Sequence, residues 1–180
     1  KWDVLERKDG QLEINVYQPV DCNWLQSVEN SADPDHRQIL HQEYIGSPDG
    51  REPADAARGR IDDIWGHDLE ELWYGGIMKI RNYKNGLVER HPLILPTILR
   101  QGQGLQYRQP MDDYSIWEIR VNFKPFRDGH LREDDDDVIV NYIEPHKLPP
   151  EGLLKRPTYL MDRVAFQDYM CWETQGVVSD

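Results

Sequence analysis

The sequence predicts an α+β domain in which an antiparallel sheet carries helices on one face. Between positions 70 and 123, short apolar runs are separated by turn signals about every ten residues, which is typical of an antiparallel meander. Segments with apolar residues at helical spacing lie on both sides of this region. A chain of 180 residues is the size of one domain and can bury a substantial core.

The first structured segment is predicted to be a β-hairpin. Asp9 followed by Gly10 is a strong turn signal, because both residue types accept the positive φ angles of hairpin turns. Leu12, Ile14 and Val16 alternate with polar residues, which gives the second strand one apolar face. We therefore expect two short antiparallel strands around this turn.

Two helical pieces are predicted before the sheet region. Residues 22–30 (CNWLQSVEN) place apolar side chains at helical spacing. The next piece is expected to begin with Asp33 as the N-cap and Pro34 as the first helical residue, since a carboxylate accepts free N–H groups and proline lacks one. We expect the break between the pieces near Ser31.

The rest of the chain is predicted to be loop, sheet and one helix. Residues 46–60 have the glycine, proline and charge content of a surface loop, and the acidic run 133–137 is typical of a solvated one. A final helix is expected within residues 162–176, ending at Gly176. The expected strands are 70–75, 76–83, 86–91, 93–100, 104–110 and 114–123.

Charge and composition exclude several classes of partner. The formal net charge is −12, and nucleic-acid affinity depends on Lys and Arg, so no nucleic-acid partner is expected. No apolar run approaches the roughly 20 residues that span a bilayer. Cys22 and Cys171 form no CxxC pair, so this chain alone cannot build a zinc ribbon or an iron–sulfur cluster. We expect a soluble cytoplasmic protein without membrane association.

One stretch concentrates side chains that bind metals. It contains Glu29, Asp33, His36 and His41, spaced E-x3-D-x2-H-x4-H. With 33 acidic residues and six histidines in the chain, this spacing arises by chance on the order of once in a thousand such chains. We therefore favour a metal site over the simpler interpretation, in which both histidines lie on a helix surface or satisfy core hydrogen bonds.

The spacing of the two histidines sets a geometric condition. In a regular helix a five-residue step rotates a side chain by about 140°, so His36 and His41 would point apart. A π-type bulge or a kink brings such positions onto one face. If the rings share a metal, the helix between them is therefore expected to be distorted.

The third ligand decides the chemistry of such a site. Two neutral imidazoles suit iron, zinc, copper or nickel, and an added carboxylate leaves open positions for oxygen and substrate at ferrous iron. The zinc-peptidase motif HExxH is absent, because Arg37 follows His36. Glu29, Asp33 and Asp35 are carboxylates close by. Asp35 adjoins His36 and Asp33 is a candidate helix cap, so a more distant acid is favoured.

The pattern E-x3-D-x2-H-x4-H, preceded by CNWLQ, resembles the mononuclear iron motif in the large subunit of Rieske non-haem iron oxygenases. Residues 91–113 (HPLILPTILRQGQGLQYRQPMDD) are similar to the branch that contains phthalate dioxygenase and the aromatic O-demethylases. Residues 167–176 (QDYMCWETQG) resemble the family segment that carries the third ligand.

The resemblance implies that His36, His41 and Asp168 bind ferrous iron. It implies that Asp33 links a metal-bound histidine to the cluster domain of a neighbouring subunit, and that Asn30 lies near the open coordination side. A carboxylate at Asp33 also suits a role that needs no family, because it can accept an imidazole N–H and fix the tautomer of the ring.

The family further implies a helix-grip fold, START/Bet v 1-like, in which a curved antiparallel sheet grips a helix. It implies a homotrimer in which a reductase or ferredoxin passes electrons from NAD(P)H through a [2Fe-2S] cluster to the iron. Dioxygen is the implied co-substrate, and the implied reaction is hydroxylation or O-demethylation of an aromatic carboxylic acid, lignin-derived or phthalate-like.

The cysteines and histidines of the Rieske cluster are not found in this sequence. We expect residues 1–180 to form the mononuclear iron catalytic domain, without the N-terminal Rieske domain and the C-terminal end. The alternative is a non-catalytic helix-grip ligand-binding module with buried structural histidines, and a zinc hydrolase is a third hypothesis.

Several other residues receive weaker predictions. Aromatic side chains often pack in cores or on sheets, but four are candidates for lining a pocket: Trp73, Tyr107, Trp117 and Tyr159. The remaining histidines are expected to be ordinary surface residues: His67, His91, His130 and His146.

Overall fold

The computed structural model describes residues 2–41, 64–133, 138–150 and 156–178. The strands in these ranges are β1 (Gly10–Val16), β2 (Ile64–Glu71), β3 (Ile77–Tyr83), β4 (Val88–Ile94), β5 (Ile98–Gln101), β6 (Gly104–Pro110), β7 (Ile116–Pro125), β8 (Ile139–Tyr142), β9 (Lys147–Leu148) and β10 (Thr158–Tyr159). The helices are α1 (Trp24–Ala32), α2 (His36–Leu40) and α3 (Val164–Thr174), and a 3-10 helix covers Asp3–Leu5.

A curved sheet forms the centre of the domain. Among the described residues it has eight strands in the order β2-β3-β4-β5-β6-β7-β1-β8, and β9 pairs with β10 separately. Neighbouring strands of the large sheet are antiparallel, except that β8 runs parallel to β1. Two helices, α1 and α3, pack on one face. The predicted α+β class with a curved antiparallel sheet is confirmed, and the arrangement is of the helix-grip type.

The helix-bearing face of the sheet has two apolar contact areas. Under α1, Val28 packs with Leu93 and Leu99. Under α3, the buried side chains form one cluster with β7 and with the segments that follow β1 and β8: Tyr17, Val20, Cys22, Ile116, Ile143, Ala165, Phe166, Tyr169 and Trp172. Burial of these side chains fixes where the two helices lie on the sheet.

The opposite face of the sheet is covered by the N-terminal segment. The cluster there contains Val4, Leu12, Leu105, Val121 and Phe123. The predicted alternation in β1 is therefore correct, because Leu12 is buried in this cluster and Ile14 packs against it. The predicted hairpin is wrong, since the residues before Gly10 form the 3-10 helix that brings Val4 onto the cluster.

The middle of the meander follows the predicted strands, with three differences. The turn expected at His91 and Pro92 lies inside β4, and residues 95–97, expected within the strand 93–100, form the turn before β5. Strand β2 lies earlier than expected, because residues 72–76 form the turn: Gly75 N–H donates to the carbonyl of Leu72 at 2.9 Å. Strand β8 was not predicted, since it is a short edge strand and β1, its partner among the described strands, is more than 120 residues away in sequence. The predicted loop at 46–60 and residues 134–137 of the acidic run lie outside the described residues.

Helix α1 is confirmed, and hydrogen bonds at its ends determine where it begins and what it contacts. Asn23 and Gln26 form a capping box at its start, with 2.7 Å between Asn23 N and Gln26 Oε1. The Gln26 amide also donates to the carbonyl of Gly176 at 2.8 Å, which ties α1 to the end of α3. The helix continues through Ser31, whose hydroxyl donates to the carbonyl of Ser27 at 2.9 Å, so the break falls after Ala32.

The short helix α2 begins later than predicted. It starts at His36 with Asp35 at the N-cap position, so Asp33 is not its N-cap and Pro34 is not its first residue. The Asp33 carboxylate instead accepts the N–H of Asp35 at 2.8 Å in the turn between the helices. The final helix α3 is confirmed, and Gly176 follows it at φ +83°. No helix in the described ranges combines the length and apolarity needed to cross a membrane.

Candidate metal centre

Three side chains from two distant parts of the chain converge beside α1. His36 and His41 come from α2 and its C-terminal end, and Asp168 comes from α3. One potential ligand atom from each lies within 4.8 Å of the others. The three residues predicted as iron ligands are thus brought together, and their role as ligands stays a prediction.

The helix that carries His36 ends just before His41. Helix α2 stops at Leu40, and His41 has φ −108° and ψ 8°, outside the helical region. The two imidazole rings lie 5.6 Å apart between centroids, at an interplanar angle of 87°. Helix termination therefore places His41 beside His36, where we had expected a π-type bulge or a kink within the helix.

Hydrogen bonds fix the tautomer of each ring. Nδ1 of His36 lies 2.9 Å from the backbone oxygen of Asp33, and Nδ1 of His41 lies 2.7 Å from Oε1 of Gln167. The Gln167 amide is oriented by its Nε2, which donates to the carbonyl of Met161 at 3.2 Å. Since these oxygens only accept hydrogen bonds, each Nδ1 carries the proton and each neutral ring keeps its Nε2 lone pair for a cation.

The contact between His41 and Asp168 needs a positive charge. Nε2 of His41 lies 3.1 Å from Oδ1 of Asp168. A lone pair facing a carboxylate oxygen at this distance is repulsive, so either a proton or a metal ion must lie between the two atoms. Two ligand atoms that bind one ion at about 2.1 Å each are about 3 Å apart at ordinary coordination angles. The separation therefore fits a metal site.

Burial supports the same conclusion. His41 is 2% exposed and Asp168 is 6% exposed, and His36 is half-buried. Burial lowers the pKa of His36, against the opposing effects of the Asp168 carboxylate and the hydrogen bond to Asp33. The neutral imidazole is the form that binds a metal, so this environment favours coordination near neutral pH.

The two other predicted site residues lie close in sequence to the centre. Asp33 is exposed, and it is its backbone oxygen that holds the His36 ring, whereas its carboxylate contacts Asp35 N–H. The prediction that the Asp33 carboxylate fixes the imidazole is therefore wrong, because the backbone oxygen of Asp33 makes this contact. Asn30 is half-buried on α1. The parts of Asp33 and Asn30 in catalysis stay predictions.

The nearby acids are not part of the group. Within the described residues, Glu29 and Asp35 are both exposed and neither joins the cluster of His36, His41 and Asp168. The expectation that a more distant acid completes the set therefore agrees with the geometry. The sequence does not identify Gln167 as a site residue, because an amide beside Asp168 has no spacing that distinguishes it from a surface residue.

The predictions for the other histidines and for the pocket aromatics are correct for some residues and wrong for others. His130 is exposed as expected, but His91 and His146 are 5% and 2% exposed, so the expectation of surface histidines is wrong for both. Burial of His146 is tolerated because its Nε2 lies 2.8 Å from Oε1 of Glu173, which gives the ring a hydrogen-bond partner. Of the candidate pocket aromatics, Trp73 is 94% exposed. The others make structural contacts: Tyr107 packs on the N-terminal cluster, Trp117 donates to the carbonyl of Tyr17, and Tyr159 donates to Glu173.

No protein-family model matches the chain. The chain is 25% identical over 187 aligned positions to the 5,5'-dehydrodivanillate O-demethylase oxygenase subunit of Sphingobium sp. strain NBRC 103272 / SYK-6. The match includes 99% of this chain but 40% of the relative, so the chain spans less than half of that subunit's length. The similarity indicates a relationship to an oxygenase-type oxidoreductase.

Proposed function

We propose that this chain is a mononuclear iron catalytic domain of a Rieske-type oxygenase, with His36, His41 and Asp168 as the iron ligands. The observation that carries the proposal is the 3.1 Å contact between Nε2 of His41 and Oδ1 of Asp168, with Nδ1 of the ring already bonded to Gln167. Two imidazoles and one carboxylate are the donor set that suits ferrous iron in oxygenases.

The side chains around the ligands have defined tasks in this proposal. The backbone oxygen of Asp33 and the amide oxygen of Gln167 hold the two rings with Nε2 toward the ion. Burial of His41 and Asp168 limits access of bulk water to that side of the centre. Bound ferrous iron would supply the activation of dioxygen, the co-substrate, at its open positions.

The proposed reaction is hydroxylation or O-demethylation of an aromatic carboxylic acid. The name of the relative from Sphingobium supports O-demethylation of a dehydrodivanillate-like compound as the more specific hypothesis. Electrons are proposed to come from NAD(P)H through a reductase or ferredoxin and a [2Fe-2S] cluster in a Rieske domain outside residues 1–180. The exposed Asp33 carboxylate is proposed to face that domain of a neighbouring subunit in a homotrimer, with Asn30 near the open side of the iron.

The same contact also supports one alternative. If the ion between His41 and Asp168 is a proton, the two residues form a buried imidazolium–carboxylate pair, and the domain is a non-catalytic helix-grip ligand-binding module. A zinc hydrolase is disfavoured, because the motif HExxH, whose Glu is the general base of zinc peptidases, is absent. Metal content therefore separates the two remaining hypotheses.

The test is anaerobic equilibrium binding of Fe(II) to the purified chain. We expect about one iron per chain for the wild type and a loss of at least tenfold in affinity for His36→Ala, since removal of one of three ligands opens the site. His130→Ala is the matched control, because His130 is an exposed histidine that contacts Asp128 and stacks on Phe126, and it is not part of the cluster of potential ligands. Equal iron content in the wild type and His36→Ala would refute the iron site and favour the binding module.

A further inference from the structure

The helix-bearing face of β3 and β4 carries buried cationic side chains. Lys79 and Arg81 alternate on β3, with Lys79 opposite His91 of β4 and Arg81 opposite His67 of β2. Alternate residues of one strand and directly paired residues of neighbouring strands share a face. Lys79, Arg81 and His91 are 4%, 2% and 5% exposed. We call these four residues the cationic strip.

The cationic strip borders the candidate metal centre. The Lys79 ammonium donates a short hydrogen bond to the backbone oxygen of Ser31, near the end of α1 and just before the turn that leads to His36. The charge of Lys79 is close enough to contribute to the lowered pKa of His36, after the larger effect of burial. The strip therefore lies on the sheet beneath the segment that presents the histidines.

Among the described residues, the acid on the same face of the strands as the strip is Glu89 of β4, opposite Arg81. Asp33, in the turn between α1 and α2, acts on the strip from outside the sheet and raises the pKa of Lys79. One oxygen of Glu89, Oε2, lies 3.8 Å from Nη1 of Arg81 and 3.5 Å from Nε2 of His91, and it accepts the Tyr83 hydroxyl at 2.7 Å. These two separations are too long for good hydrogen bonds. Arg81 and Glu89 balance each other in charge, and Lys79 adds one positive charge when it is protonated.

The next acid along this face does not compensate the strip. Glu118 is already engaged by Arg120, with Nε 2.7 Å from Oε1, and by the more distant guanidinium of Arg108 at 3.6 Å. The pKa of Lys79 falls to about 7, first because of burial and then because of the nearby charges of Arg81 and Arg108, against the opposing charge of Asp33. A bound anion would relieve this repulsion.

Several buried nitrogens of the strip lack a hydrogen-bond partner among the described residues. Nε of Arg81, both ring nitrogens of His91 and Nε2 of His67 are inaccessible to solvent and form no hydrogen bond there, and at least one nitrogen of each ring carries a proton to donate. An unpaired buried polar group destabilises the folded protein, and native proteins rarely leave several together. A ligand with two acceptor oxygens and a single negative charge would satisfy both the donors and the charge.

We propose that Arg81 and His91, assisted by Lys79, bind a carboxylate group of the organic substrate beside the metal centre. A carboxylate matches the strip because it offers two oxygens in a plane, as a guanidinium donor requires, and balances one positive charge. The subsite deepens the proposed function and rests on it for the identity of the ligand as a substrate. Binding of the anion itself does not depend on iron.

The test compares two ligands of the same shape and different charge, 3-methoxybenzoate and 3-methoxybenzamide. Their binding to the full chain is measured by calorimetry with and without Fe(II). We expect the wild type to bind the acid at least tenfold more tightly than the amide, the size of one charge-assisted hydrogen-bonded pair. Arg81→Gln should reduce this preference to about twofold without weakening the amide.

Controls separate the subsite from the metal centre and from folding. Arg90→Gln alters an exposed arginine on the other face of β4, beside His91, and should keep the preference for the acid. His36→Ala should lose iron but keep the preference, so failure of the iron proposal leaves this one intact. If Arg81→Gln does not fold in thermal unfolding, His91→Gln replaces it and should reduce the preference severalfold.

Three results would overturn the subsite: equal binding of acid and amide by the wild type, no binding of the acid, or an unchanged preference in the folded strip variants. Each would mean that the buried donors of Arg81 and His91 do not recognise a carboxylate. A fourth result would also contradict the subsite. If His36→Ala loses both its iron and its preference for the acid over the amide, the metal and not the strip binds the acid.

Discussion

The side chain of His41 is held at both nitrogens by two consecutive residues of α3. Nδ1 lies 2.7 Å from Oε1 of Gln167, and Nε2 lies 3.1 Å from Oδ1 of Asp168, 127 positions further along the chain. One residue thus orients the ring and the next shares the proposed ion. The position of α3 on the sheet therefore decides both the tautomer of His41 and the geometry of the centre.

Gln167→Leu tests this orientation. Leucine keeps the volume of the side chain but leaves Nδ1 of His41 without its acceptor. We expect Fe(II) affinity to fall by about 10–100-fold, as is usual when a group that orients a metal-bound histidine is removed. The measurement is equilibrium dialysis under anaerobic conditions. Gln101→Leu, at an exposed glutamine of β5, should leave the affinity unchanged, and equal affinities of the two variants would contradict the role of Gln167.

Glu118 is expected to be the most sensitive polar residue in the contact between α3 and the sheet. It is fully buried, and although burial opposes its ionisation, Arg120 and Arg108 outweigh this and lower its pKa. Glu118→Gln leaves two buried guanidinium groups without their counter-charge, which should cost about 3 kcal/mol in the free energy of unfolding. Urea denaturation at pH 7 gives this value directly.

The neighbouring hydroxyl provides the comparison for Glu118. Tyr169 donates to Oε2 of Glu118 at 2.6 Å. Tyr169→Phe removes one hydrogen bond but leaves the charges paired, so it should cost about 1 kcal/mol. If Tyr169→Phe proves as destabilising as Glu118→Gln, the ion pairs are not the main contribution.

The sequence was sufficient for features that depend on local patterns. The helical spacing in α1, the alternation in β1 and most turns of the meander are set by neighbours a few positions apart, and these predictions are confirmed. The cluster of His36 and His41 was detectable because its spacing is rare. Asp168 could be assigned only through the resemblance to a family, since nothing local separates it from the other acids.

Features that depend on distant contacts were not predictable. Strand β8 exists because β1 offers it a free edge, and its own residues are mostly exposed. The sequence predicts a surface position for His91 because it precedes a proline. In the structure, the register of β4 with β3 places His91 on the buried face beside Lys79. Period-two alternation shows that residues share a face, but not which face the helices cover.

Glu173 should make stability depend on acidity. Burial opposes its ionised form, but hydrogen bonds from His146, Lys147 and other donors outweigh burial and lower its pKa from 4.5 to about 2. Between these values the unfolded chain binds more protons than the folded chain at this residue, so stability increases as the pH rises from about 2 to about 4.5. Above that range the contribution is complete.

Glu173→Gln should remove this contribution. We expect a loss of about 2 kcal/mol at pH 7, less than the full pKa difference implies, and a difference from the wild type that shrinks as the pH falls below the ordinary pKa of the carboxyl group. Urea unfolding of both proteins at several pH values from neutral to acidic measures it. A difference that stays constant at every pH would show that the Glu173 charge is not coupled to folding.

Gly76 should be irreplaceable at the turn between β2 and β3. Its φ is +140°, and a Cβ at this position would lie 2.2 Å from the backbone oxygen of Leu93 on β4. Backbone atoms cannot move away cheaply, so Gly76→Ala should lower the free energy of unfolding by about 3 kcal/mol.

Gly86 is the matched control, since its φ is +86° but no atom lies within 4 Å of an added Cβ. Gly86→Ala should cost only about 1 kcal/mol, from the left-handed conformation alone. Chemical denaturation of both variants measures the difference, and equal losses would mean that the close approach of β4 contributes nothing.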